Sequence, residues 1–180
     1  MKSITIFRCF VAGIVCTFFL FPAISPVSAG DQPEKNYQHL DLRGQDLSNL
    51  DLSSERFTSV NANGVNFRNS NLNSADFWGS SLVRADFSGA DLIGADLSLA
   101  DLIGAYFRDT NLWGAKLKGA NLWGVDFSGA KLICADFTDA NIINANFSNS
   151  NLFGARWVDG SICGTGSIGC CCNVEGACSS

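Results

Sequence analysis

Three groups of side chains in this sequence have types and spacings that could do chemistry: regularly spaced aspartates, one histidine and a set of cysteines. Asp86, Asp91, Asp96 and Asp101 follow one another at five-residue intervals. Paired carboxylates can act as acid and base in hydrolysis, and clustered ones can hold calcium. Histidine can activate a nucleophile, and cysteines can bind zinc, react as thiols or form disulfides. Which of these is possible depends on how the chain positions them.

A five-residue repeat sets those positions, and it runs from Leu40 without insertion or deletion. A large apolar residue stands at the centre of each unit, from Leu42 to Ile162, with Ala62 as the one small exception. This period fits neither an amphipathic helix nor an alternating strand, and it is typical of a solenoid. Units such as residues 85–89, Ala-Asp-Phe-Ser-Gly, resemble those of the pentapeptide-repeat family. The resemblance covers residues 40–162.

The resemblance implies an all-β fold: a right-handed quadrilateral β-helix of about six coils, with four units in each 20-residue coil. The central residues alternate between an aliphatic set and a mostly aromatic set, each recurring every ten residues. A 15-residue coil would mix the sets, whereas a coil of 10 or 20 residues keeps them sorted. A 20-residue coil predicts one aromatic stack, formed by Phe67, Phe87, Phe107, Phe127 and Phe147.

The other positions of the unit predict a structural role for the aspartates. The residue two before the centre is usually alanine and must be small to fit inside. Glycine at the end of the unit suits a tight corner, and Asp or Asn can bond turn amides locally. Successive aspartates would face different directions, and Asp46, Asp86 and Asp126 would lie roughly 10 Å apart in one column. We therefore predict no carboxylate dyad and no metal site.

His39 is the one histidine, and it precedes the first coil. No serine or cysteine stands in a recognisable nucleophile turn near it, so we expect it in an exposed N-terminal cap over residues 30–39. The sequence thus predicts no catalytic residue, no cofactor and no enzymatic activity.

Residues 1–29 have the pattern of a secretory signal. Lys2 and Arg8 give a positive start, an apolar run covers residues 9–21, and Val27, Ser28 and Ala29 form a small-residue cleavage site. The run is short for a membrane span, so an uncleaved anchor is the weaker alternative. We predict export to a periplasm, a thylakoid lumen or the outside, without stable membrane insertion after cleavage.

Export changes how the cysteines are interpreted. An even number outside the signal favours disulfides, and a tail over residues 163–180 stapled in this way could cover the open end of a β-helix. The cysteines have neither paired zinc-ligand spacing nor a Cys-x-x-Cys motif, and a thiol-redox role of the tail is the alternative. The candidate disulfide residues are Cys134, Cys163, Cys170, Cys171, Cys172 and Cys178.

The residue after each central one is expected to point outward, and here apolar and polar sets alternate. On a four-sided coil the apolar set forms two ladders on opposite faces. Aligned apolar residues make patches that usually mark interaction sites, although such residues also suit strands. One ladder comprises Val83, Ile103, Trp123 and Ile143, and the other comprises Ile93, Trp113, Ile133 and Phe153. We hypothesise a non-catalytic scaffold that binds a protein partner or associates with itself.

The formal net charge of −5 argues against nucleic acid as a partner. Some members of the pentapeptide-repeat family resemble duplex DNA and inhibit topoisomerases, which gives an alternative function. The predicted export would place this protein in another compartment. Basic residues also dilute the acidic columns, namely Arg68, Arg84, Arg108, Lys116, Lys118, Lys131 and Arg156.

Overall fold

The computed structural model describes Tyr37 and residues 40–164, and each five-residue unit in it ends in a tight turn. From Gly44 to Gly154, every fifth residue has a φ between 54° and 71°. The turn is closed by an amide three residues after the centre, as in Ala95 N to Leu92 O, 3.1 Å. A positive φ at the third turn position is typical of type II turns and favours glycine or asparagine. The predicted role of glycine at the corners is confirmed.

Parallel bridges twenty residues apart assemble the units into a β-helix. They run from Asp41↔Asn61 to Asp136↔Arg156, and each joins a residue to the one 20 positions later. Four units therefore complete one coil, and equivalent residues stack at the strand spacing of about 4.8 Å. The bridges decide between the 10-residue and 20-residue coils in favour of the latter. Each side contributes one bridge residue rather than an extended strand, and residues 40–164 contain no helix.

The coil has four faces, which we label A to D in chain order by their central residues. Face A carries Leu42, Ala62, Leu82, Leu102, Leu122 and Ile142; face B carries Leu47, Phe67, Phe87, Phe107, Phe127 and Phe147. Face C carries Leu52, Leu72, Leu92, Leu112, Leu132 and Leu152; face D carries Phe57, Phe77, Leu97, Leu117, Phe137 and Trp157.

A continuous aromatic column on face B and two shorter aromatic segments on face D occupy much of the core. On face B the predicted stack is confirmed, with ring centroids 4.7 Å apart for Phe87 and Phe107 and 5.2 Å apart for Phe107 and Phe127. Faces B and D meet edge to face, as in Phe67 and Phe77 at 5.6 Å. Tyr37 stacks on Phe57 at 4.7 Å and extends the face D column by one ring. Such contacts add to the stabilisation from burial itself.

The regular repeat stops after Trp157. The next positive φ falls at Gly160 instead of residue 159, so the chain takes one extra residue in this turn. Ile162 then pairs antiparallel with Arg156 and is 52% exposed, whereas Cys163 is buried. The prediction that Ile162 is the last inward central residue is therefore wrong, because the extra residue shifts the inward position to Cys163. The predicted signal segment, His39 and residues 165–180 lie outside the described residues.

Candidate interaction faces

The aspartates have a structural task that the hydrogen bonds make explicit. In residues 85–89, every amide except that of Ser88 bonds a backbone carbonyl. The Ser88 amide is left over, and the Asp86 Oδ1 accepts it at 2.9 Å. Asn146 and Asp126 do the same for the amides of Ser148 and Ser128. The predicted structural role of these residues is confirmed, and it satisfies an amide that the β-helix cannot pair.

Cations and amides lie between many of the carboxylates. Lys116 Nζ lies 3.2 Å from Asp96 Oδ2, and Arg68 pairs with Asp86 at 3.3 Å. Burial raises the pKa of Asp96, but hydrogen bonds from Ser98 and Lys116 outweigh it and hold the pKa below its usual value. A carboxyl held ionised in this way is a poor general acid at neutral pH.

One pair of carboxylates was missed by the sequence analysis. Asp76 and Asp96 are bridge partners in adjacent coils of face D. The sequence comparison had followed only the column of Asp46, Asp86 and Asp126, in which other residues separate the aspartates. Within the described residues, no group of His, Cys, Asp and Glu has the arrangement of a metal site.

The described cysteines differ in exposure and in oxidation state. Cys134 occupies a left-handed turn position on face C, where it is exposed and its thiol is free. The prediction that Cys134 joins a disulfide is therefore wrong, because its thiol lies on the outer surface of face C without a bonded partner. Cys163 is buried and disulfide-bonded. Cys170, Cys171, Cys172 and Cys178 lie outside the described residues.

The structure places the predicted apolar ladders on two opposite faces. Val83, Ile103, Trp123 and Ile143 lie on face A; Ile93, Trp113, Ile133 and Phe153 lie on face C. Within each ladder, consecutive residues are one coil apart. Trp113 is 56% exposed and Trp123 is 48% exposed, while Val83, Ile103 and Ile133 are half-buried between their neighbours. We call these sets the face A ladder and the face C ladder.

Besides Leu40 and Ile162 near the ends of the described coils, three exposed apolar side chains outside the ladders were not predicted. Trp78 lies on face D, Tyr106 on face B beneath the Arg108 guanidinium, and Leu99 in a left-handed turn. Trp78 follows its central residue, Phe77, as the ladder residues follow theirs. Examining the outward position one unit before Val83 would therefore have found it. Trp78 stands among polar outward residues, with Thr58 and Ser98 on either side.

A family model for pentapeptide repeats matches the chain in eight copies, over residues 38–73, 56–89, 85–124 and 124–156. These ranges cover residues 38–156. The chain belongs to the pentapeptide-repeat family. The family's fold is the right-handed quadrilateral β-helix that the resemblance implied. No protein of curated function matches the sequence.

Several solved pentapeptide-repeat structures are similar to this chain. One is Rfr23 from the cyanobacterium Cyanothece 51142, with 23% identity, a TM-score of 0.45, and coverage of 62% of this chain and 80% of that one. A protein of the Arabidopsis thaliana thylakoid lumen has 28% identity, a TM-score of 0.37, and coverage of 76% and 86%. Full-length QnrB1, a plasmid-mediated fluoroquinolone resistance protein, has 19% identity, a TM-score of 0.36, and coverage of 68% and 76%.

Tyr37 and residues 40–164 include no helix with the length and apolar composition needed to span a membrane.

Proposed function

We propose that this protein is a non-catalytic, exported scaffold that binds protein partners through faces A and C. The observation that carries the proposal is the pair of apolar ladders on opposite faces. Each ladder is a continuous row of Val, Ile, Trp or Phe, and tryptophan and other large aromatic residues are enriched where binding energy concentrates.

The fold itself does not require these ladders. In the first coils, faces A and C carry Arg43, Asn63, Ser53 and Asn73 at the same outward positions. Leu42, Leu52 and Leu72 are nevertheless buried beneath them. An outward apolar residue is therefore not a condition for packing the leucine inside, which weakens the view that the ladders are only good strand-formers.

The charge distribution favours a protein partner over the DNA-mimic alternative. A mimic of duplex DNA needs long rows of negative charge, one per about 1.7 Å of axis. Here Arg68, Arg108 and Lys116 neutralise carboxylates on faces B and D. The export that we propose rests on the composition of residues 1–29, and the thiol-redox alternative rests on tail cysteines beyond the described residues.

The test is site-specific photo-crosslinking in the host cell. Trp113, Trp123 and Trp78 are replaced one at a time by p-benzoylphenylalanine, and irradiated adducts are identified by mass spectrometry. Trp78 is the matched control, because it is 48% exposed at the same outward position but lies outside the ladders. We expect protein adducts at positions 113 and 123 with several-fold higher yield than at position 78. Equal yields at all three positions, or none at positions 113 and 123, would overturn the proposal.

A further inference from the structure

Two charges on face C, those of Asp91 and Lys131, form no salt bridge within residues 40–164. In residues 40–164, each other aspartate that precedes a central residue accepts the backbone amide two residues after it. Asp91 does not, because the Ile93 amide donates to Asn73 Oδ1 instead, at 2.8 Å. Asp91 is exposed, and its carboxylate accepts one hydrogen bond, from Asn111 at 3.1 Å. Its column neighbours are Asn71 and Asn111, which carry no charge.

Lys131 is the counterpart of Asp91 in the same column. It stands where the repeat usually has Asp or Asn, and its bridge partners are Asn111 and Asn151. Lys131 is exposed, and within residues 40–164 it forms no salt bridge. On face D, by contrast, Lys116 lies between Asp96 and Asp136, so its charge is compensated inside the chain. Asp91 and Lys131 therefore give face C a negative and a positive charge that are not ion-paired within residues 40–164.

The two charges are placed symmetrically along the rod. Asp91 lies one coil before Asn111 and Lys131 lies one coil after it, so the charges are roughly 10 Å apart along the axis. Three residues of the face C ladder have the same symmetry, with Ile93 and Ile133 on either side of Trp113, whereas Phe153 has Asn73 as its counterpart. A two-fold axis through this coil, lying in the face and perpendicular to the rod, would exchange the members of each pair.

From this arrangement we propose that face C binds a second copy of the same chain, with the two rods antiparallel. Asp91 of each copy then faces Lys131 of the other, Ile93 faces Ile133, and the two Trp113 side chains meet at the axis. Self-complementarity of this kind is what a two-fold interface requires. The proposal rests on the proposed function and names the partner of face C alone.

Other pairings do not bring these charges together. If the rods were parallel, the two-fold axis would run along the rod, and the column of Asp91 and Lys131 would face the turn column of Gly94 and Cys134. Face A offers no equivalent pair, because the column of Asp101 holds no cation and Arg84 is the one charge in its turn column. Pairing face A with face C would build an open filament instead of a closed dimer.

A charge-swap cycle followed by sedimentation equilibrium tests the proposal. Either single variant, Asp91→Lys or Lys131→Asp, places like charges opposite each other. Because the dimer is two-fold symmetric, this happens at two positions in the interface. Each variant should weaken dimerisation about tenfold to hundredfold, as for a few exposed ion pairs. The double variant Asp91→Lys/Lys131→Asp should recover the dimer to within about threefold, within ordinary coupling error. Asp46→Lys on face B is the control for a charge reversal outside face C, since Asp46 also accepts an amide hydrogen from the next coil. Asp46 accepts its own turn amide from Ser48 as well, so circular dichroism checks that this variant is folded.

Oxidative cross-linking tests the register independently. In the proposed dimer the free thiol of Cys134 faces Gly94 of the other copy, so Gly94→Cys should give a covalent dimer linked between positions 94 and 134. Gly124→Cys on face A is the control, because Gly94 and Gly124 both have a φ of +66° and space for a side chain.

Three results would overturn the proposal. The first is a protein that stays monomeric up to about 0.5 mM, where even millimolar affinity begins to show. The second is single charge swaps that do not weaken the dimer, and the third is a double swap that does not restore it. Larger oligomers that ignore the swaps would indicate pairing of face A with face C. If no dimer forms but position 113 cross-links to another protein in the cell, the scaffold function stands and the second copy is excluded.

Discussion

Faces A and C of the β-helix differ from faces B and D both in their inward and in their outward side chains, although the backbone is the same. Inside, A and C are mostly leucine, while B carries five stacked phenylalanines in a row and D is mixed. Outside, A and C bear the apolar ladders from Val83 onward, while B bears Ser48, Arg68 and Ser88 in its first coils. The turns and bridges are the same on all four faces. The repeat therefore determines the fold through its inward side and leaves its outward side open to selection for binding.

The largest expected effect separates the two kinds of core column. Phe107 is fully buried and stacks between Phe87 and Phe127, while Leu112 is fully buried in the leucine column of face C. We expect Phe107→Ala to lower the free energy of unfolding by about 4 kcal/mol and Leu112→Ala by about 3 kcal/mol. Denaturant unfolding followed by circular dichroism measures both. An equal or greater loss at Leu112 would show that the aromatic columns contribute nothing beyond their volume.

Acid is expected to weaken faces B and D in particular, because they carry the ion pairs of Asp86, Asp96 and Asp126, whereas face A carries the more exposed pair of Arg43 and Asp41. Burial raises the pKa of Asp126, but hydrogen bonds from Arg108 and Ser128 outweigh it and bring the pKa below its usual value. A lowered pKa in the folded state stabilises the fold above the unfolded value of about 3.9, and that contribution is lost as the pH falls through the folded pKa. The melting temperature should therefore drop below about pH 4.

Asp126→Asn sharpens this prediction. The variant should be less stable than the wild type at neutral pH and should lose less stability between about pH 5 and pH 2, so that the two curves converge in acid. Parallel curves over this range would mean that Asp126 contributes nothing to the acid sensitivity of face B.

Most of the fold could be predicted from the sequence because each unit is locally complete. The central residue, the small residue before it, the glycine at the turn and the Asp or Asn that accepts the leftover amide all lie within five residues, as in residues 85–89. The predictions that were wrong depend on contacts between residues far apart in the sequence, or on one-residue shifts in the phase of the five-residue repeat. Ile162 keeps the five-residue spacing from Trp157, yet the glycine stands at 160 instead of 159 and moves the inward position to Cys163.

The sequence predicted where the candidate interaction faces lie on the β-helix, but it did not predict which partner binds them. The ladder residues follow from the outward position of each unit, whereas the significance of Asp91 and Lys131 required the hydrogen bonds of their columns. An even number of cysteines could not show that Cys134 is free, since pairing depends on where the thiols point. The Asp76 and Asp96 pair likewise emerged once all four columns were known.

The smallest expected effect is the one that most directly tests whether the ladders belong to the fold or to binding. Trp113→Ser/Trp123→Ser should change the free energy of unfolding by less than about 0.5 kcal/mol per site, because both side chains are about half exposed on the outer surface and polar residues fill the same position on face B. Trp78→Ser, with equal exposure on face D, is the stability control. The same samples are compared by size exclusion with light scattering, where the ladder variant should associate less than the wild type and Trp78→Ser should not differ from it. A loss of more than about 1 kcal/mol per site, beyond that of Trp78→Ser, would mean that the ladders stabilise the coil. The difference between the faces would then be explained by folding stability. The two ladders would no longer need a binding function to explain them.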